Sequence, residues 1–145
     1  MKNKIISIIT ALFLVATSSF AQSKYEKSLL KPEEAYKIGD YKTAKSLLIK
    51  AKKKIVSKLG AQNQLTPIMY LMQAKYDLGL GMPLDFESDL QSALKANLTL
   101  NAETSEKYAA MLVDAGELYN QNGSYRVARE YLSNARKLLD VAAFN

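Results

Sequence analysis

The chain has 145 residues, a net charge of +6, no histidine and no cysteine. Without imidazole or thiol it lacks the commonest general base, thiol nucleophiles, a disulfide framework and most transition-metal ligand sets. No enzyme, cofactor or metal centre is therefore expected. Charge is unevenly spread: residues 24–58 hold eleven Lys against four acidic residues, net +7, whereas residues 59–145 hold seven basic and ten acidic residues, net −3.

Residues 1–21 read as a secretory signal peptide. Lys2 and Lys4 make a positive start, Ile5 to Ala16 is a short apolar run, and Ser19-Phe20-Ala21 places small residues where signal peptidase reads them. The run is shorter than the roughly 20 apolar residues that span a bilayer, so no stable membrane span is expected. No cysteine follows it to carry a lipid anchor. The mature chain, residues 22–145, is expected to be exported to the periplasm or beyond, which makes nucleic acid an improbable partner.

Two later stretches, Gly39 to Ala51 (GDYKTAKSLLIKA) and Gly123 to Ala135 (GSYRVAREYLSNA), share the pattern Gly-x-Tyr-x-x-Ala-x-x-x-Leu-x-x-Ala. They stand 84 residues apart, twice 42, which leaves room for a diverged unit between them. The match extends to charge, since Lys42, Lys45 and Lys52 fall on Arg126, Arg129 and Arg136. Apolar residues in each copy recur at helical spacing, and alanines seven apart admit a close neighbouring helix. In the first unit Pro32 is tolerated in an opening helical turn, so either a short helix starting near it or a longer one kinked there is predicted. In the middle unit Thr66-Pro67 reads as an N-cap followed by Pro at the first helical position, with Ile68, Leu71 and Tyr76 facing inward and Gly79 as the stop. Gly79-Leu80-Gly81-Met82-Pro83 reads as a long connection, followed by a helix over about Leu84 to Asn97. Asn101 is placed to cap the next one.

On these residues the chain resembles the tetratricopeptide repeat (TPR) family, whose units are antiparallel helix pairs. Gly116, Tyr119, Gly123, Tyr125, Ala128, Leu132 and Ala135 stand where that family keeps its packing residues, with Leu112 at the usual large apolar position. The period exceeds the family's common unit of about 34 residues and resembles its longer-helix variety. The resemblance implies an all-α, right-handed helical-hairpin array, a TPR-like α-solenoid of three helix pairs over about 25–60, 64–97 and 101–142. It also implies a concave groove lined by the first helix of each pair: Glu33, Tyr36 and Lys37 in the first, Met69, Gln73, Tyr76 and Asp77 in the second, Val113, Glu117, Asn120 and Gln121 in the third. Such a surface suits an extended peptide or a partner helix.

A different reading rests on the basic first hairpin. Lys45, Lys52, Lys53 and Lys54 could attract an anionic envelope polymer or lipid head groups, although a lysine-rich helix face is more often plain solvated surface. Asp85, Glu87 and Asp89 follow Pro83 in a predicted first helical turn, where carboxylates meet unpaired amides, so a capping role is expected for them. Asp114 and Glu117 share one helix face. Beyond the last predicted helix only Val141 to Asn145 remain, so the final hairpin is expected to carry an uncovered apolar edge, with Phe144 and Leu138 folding back on it or another subunit docking there.

Overall fold

In a computed structural model of the chain, which describes residues 24–101 and 106–143, Gly39, Gly81 and Gly123 take φ values of 80°, 70° and 78°. Their amides donate to the carbonyls three residues back, those of Tyr36, Leu78 and Asn120. The next residues, Asp40, Met82 and Ser124, donate to the carbonyls five back, those of Ala35, Asp77 and Tyr119. This pair of bonds closes a helix in a left-handed turn that only glycine adopts without steric cost. One turn is thus made three times at 42-residue intervals, and it fixes the architecture.

Each turn joins two helices. Leu30–Lys37 (α1) leads into Tyr41–Leu59 (α2), Thr66–Gly79 (α3) into Pro83–Leu100 (α4), and Glu106–Gln121 (α5) into Tyr125–Ala143 (α6). A 3₁₀ turn at Lys27–Leu29 precedes α1. The main packing is α1 on α2, α3 on α4 and α5 on α6, with α2 against α3 and α4 against α5 linking the pairs. The described residues are all-helical, and no described helix is long and apolar enough to cross a membrane. Residues 1–21, read above as a signal peptide, and Phe144 lie outside the described residues.

Several details differ from the sequence reading. The α3–α4 connection is Leu80 to Met82. It is as short as the other two, because Gly79 remains helical and the turn falls on Gly81. Gly79 serves another purpose: a Cβ there would come within 2.7 Å of the Tyr41 ring, so the missing side chain lets α3 close onto α2. Gly116 does the same for α5 on α6, where a Cβ would stand 2.6 Å from Leu132 Cγ.

Thr66 is the first residue of α3 and not its N-cap. Its hydroxyl accepts from the Asn63 amide and donates to the Ala61 carbonyl, bracing the preceding loop. Ile68 points outward, 42 % exposed, because Leu65, Met69, Met72 and Tyr76 form the inward row. Pro32 sits in the first turn of α1, as its fixed φ allows. Asn101 closes α4, its amide and side chain both bonding back to Asn97, while the residues that would show it capping α5 lie outside those described.

Two apolar clusters hold the pairs together. One joins α1, α2 and α3 through Ala44, Leu48, Ile55, Met69 and Tyr76. The other joins α3 to α6 through Phe86, Leu90, Leu112, Leu118 and Tyr119. Within the second, Phe86 meets Tyr119 edge-on at 5.3 Å and Tyr119 stacks on Tyr131 at 5.4 Å, arrangements that aromatic quadrupoles favour.

Candidate functional site

The α3 face that follows its apolar row carries Tyr70, Gln73 and Asp77, at helical intervals that align them. From α2, Lys52 reaches the first two: its Nζ lies 4.0 Å over the Tyr70 ring and donates to Gln73 Oε1 at 3.4 Å. Lys45, two turns earlier on α2, donates to Asp77 Oδ1. From α4 come Asp85, Ser88 and Asp89, brought to one side by their i, i+3, i+4 spacing. Together Lys45, Gln73, Asp77, Asp85, Ser88 and Asp89 line an open cavity of about 250 Å³ where three helices meet.

The electrostatics of this cavity are uneven. Asp77 is fully buried and its Oδ2 has no hydrogen-bond donor. Asp89 is pushed up to about 6, first by burial and then by the hydrogen bond and charge of Asp77, while Gln73 and Lys52 pull it down. Asp89 therefore keeps its proton into mild acid, and once that proton is lost its charge is opposed by Asp77. Three carboxyls, one ammonium group, an amide and a hydroxyl make the lining of this cavity polar. Among the described residues no group of three or more His, Cys, Asp or Glu is arranged to hold a metal ion.

Asp89 supplies a test through pH. Its folded value lies above the ordinary 3.8, so the folded state holds the proton more tightly than the unfolded chain. That contribution is present below about 4 and is lost as pH rises through about 6. Thermal melts of the wild type should show this loss across pH 4 to 7, and Asp89→Asn should flatten it and raise Tm at neutral pH. Parallel curves for the two proteins would mean that the Asp89 carboxyl is not raised on folding.

The structure redistributes the residues singled out in the sequence. Met69, Tyr76 and Asp77, expected in the groove, are wholly buried. Met69 and Tyr76 belong to the core, because α3 turns these positions toward α2; Asp77 reaches the cavity only as part of its floor. Tyr36 is half-buried, its ring centroid 5.2 Å from that of Tyr76 and 5.5 Å from that of Tyr41. Burial, then Tyr41, then Glu33 raise the Tyr36 phenol above its usual value. Lys37, Glu117, Asn120 and Gln121 are exposed, and Gln73 and Val113 are half-buried.

Contacts also run between the first helices of successive pairs. Tyr36 on α1 meets Tyr76 on α3. Asp114 on α5 is raised by burial, opposed by the charge of Lys75 on α3, and raised again by Glu117. Of the basic set, Lys53 and Lys54 are exposed, whereas Lys45 and Lys52 are turned toward α3 and engaged there, so the four do not form one outer face. Asp85 does stand in the first turn of α4. Asp89, expected to cap that helix, belongs to the cavity instead. The signal that could have placed it was the i, i+4 pairing of Asp85 with Asp89, which puts both on one flank. No family model, curated protein or solved structure matches this chain.

Proposed function

We propose that this chain is an exported, non-catalytic interaction module: a right-handed, TPR-like array of three helix pairs whose first helices, α1, α3 and α5, line a groove for a peptide or partner protein. The observation that carries the reading is the glycine turn made three times at 42-residue steps. Such stacking leaves a continuous face along successive first helices, which repeat arrays use for binding. The polar cavity of Lys45, Gln73, Asp77, Asp85, Ser88 and Asp89 and the exposed Glu117, Asn120 and Gln121 furnish donors and acceptors for an extended backbone. Export rests on the leader-like residues 1–21.

A second reading is favoured by one observation: Lys42, Lys50, Lys53, Lys54 and Lys58 are all exposed on α2. Such a surface draws anionic polymers or head groups, with an attraction that salt screens. Affinity capture from an envelope extract with residues 22–145, at low and high salt, separates the two. Recovery of one defined protein that survives high salt, and is lost in a Gln73→Ala, Glu117→Lys, Asn120→Ala variant, is the expected result. Salt-sensitive capture of polymer or lipid, lost on changing Lys53 and Lys54 to Gln and indifferent to the groove variant, would move the function to the basic face.

A further inference from the structure

The second helix of each pair presents the same stripe to its surroundings. In α2 it is Tyr41, Ala44, Leu48, Ala51 and Ile55; a 42-residue shift gives Pro83, Phe86, Leu90, Ala93 and Asn97 in α4, and a further shift gives Tyr125, Ala128, Leu132, Ala135 and Leu139 in α6. Two of these stripes are covered by the first helix of the following pair, and Leu48, Ile55 and Leu90 are no more than 1 % exposed. On α6 the alanines stay buried against α5, but Leu132 is 40 %, Leu139 44 % and Tyr125 68 % exposed. Tyr125, Ala128 and Leu132 border an open cavity of about 510 Å³ that also touches Asn120, Arg129 and Arg136.

The covered stripe on α2 displays the chemistry of its occupant. Helix α3 lays Met69, Met72 and Tyr76 on it, joined by the Leu65 that precedes the helix, and Asp77 pairs with Lys45 while Gln73 meets Lys52. On α6 the positions of Lys45 and Lys52 are held by Arg129 and Arg136. Among the described residues Arg129 has no ion-pair partner, and Arg136 reaches only Asp140 of its own helix, at 3.8 Å and in solvent. Both the apolar row and its basic edge are therefore present without the helix that answers them.

We propose that the outer face of α6 docks an amphipathic helix of another protein, seated as α3 is seated on α2, with an acidic residue of that helix placed on Arg129. Pairing of two α6 helices from separate copies would bring together two surfaces that each keep a net charge of +2 (Arg126, Arg129, Arg136 and Lys137 against Glu130 and Asp140), with Arg129 unpaired on both, which like-charge repulsion opposes. An acidic helix relieves that charge. This surface lies on the last second helix, apart from the groove of first helices, and stands or falls independently of it.

The probe is a synthetic peptide with the sequence of residues 63–82, used plain and in a stapled form that removes the cost of helix nucleation. Titrated into residues 22–145, it should bind saturably and shift NMR resonances of Tyr125, Leu132, Leu139 and Arg129. Arg129→Glu, an exposed change that leaves the core untouched, should weaken binding about tenfold or more, in the range seen on truncating paired interfacial charges. A peptide with Lys in place of Asp77 should reverse that preference. No saturable binding of the stapled peptide would overturn the proposal, as would equal affinity for Arg129→Glu. Concentration-dependent dimerisation through α6 that excludes the peptide would overturn it too, by making a second copy the occupant.

Discussion

Replacing Lys45 by Met will lower the stability of the folded chain by about 2 to 3 kcal/mol, below the roughly 3 to 5 kcal/mol for breaking a fully buried pair because the lysine retains some exposure. Asp77 would then be a fully buried carboxylate without its ion-pair partner, its Oδ2 already lacking a hydrogen-bond donor and Asp89 close by. The larger part of the loss thus comes from stranding Asp77, not from the intrinsic worth of the ion pair. Changing both partners, Lys45→Met with Asp77→Leu, should recover most of the stability, since apolar replacements of similar volume remove the desolvation cost along with the attraction. Chemical denaturation of the single and double variants checks this. A double variant no more stable than Lys45→Met would mean that Asp77 is held by something other than Lys45.

The same substitution at one repeat position will have unequal effects along the chain. Leu48→Ala and Leu90→Ala should each cost about 3 kcal/mol, because both side chains are sealed between their own pair and the next and would leave cavities. Leu132→Ala should cost about 1 kcal/mol, since that side chain touches Gly116 on one side and solvent on the other and leaves no closed void. Denaturant midpoints for the three variants decide the matter. Equal losses would mean that the α6 stripe is covered in solution, for instance by self-association, and a concentration-dependent midpoint would identify that cause.

Much of the fold was legible because the repeat is written in residues with strong backbone meaning. Gly39 and Gly123 mark left-handed turns, and the alanine and leucine spacing after them marks the helix that follows. Pro32 and Pro67 mark helix starts. The middle unit was harder to read because its stripe replaces Tyr, Ala and Leu by Pro83, Phe86 and Leu90, and because Gly79 and Gly81 offered two candidate turns two residues apart. Only packing distinguishes them: the Tyr41 ring needs Gly79 bare, and Gly81 takes the positive φ.

The site was less legible than the fold. A helix position alone does not say whether a side chain faces its own partner helix, the next pair or solvent; Tyr76 reads both as inward and as a groove residue, Met69 as a groove residue, and both fill the core. Lys45 and Lys52 looked like members of a solvated lysine face, yet each reaches across to α3. Those contacts depend on the angle at which α3 crosses α2, which the Gly79 and Tyr41 contact sets and no single segment encodes. Asp89 was hidden for a similar reason, since its partner Asp77 lies on another helix.

Three helix pairs, each packed mainly against its sequence neighbours, predict a graded response to local opening, because among the described residues the first and last pairs each meet one other pair and the central pair meets two. Native-state amide hydrogen exchange on residues 22–145 measures this helix by helix. Protection should be highest in α3 and α4 and should fall toward α1 on one side and α6 on the other. One common opening free energy across all six helices would contradict the repeat organisation and describe a single cooperative bundle instead.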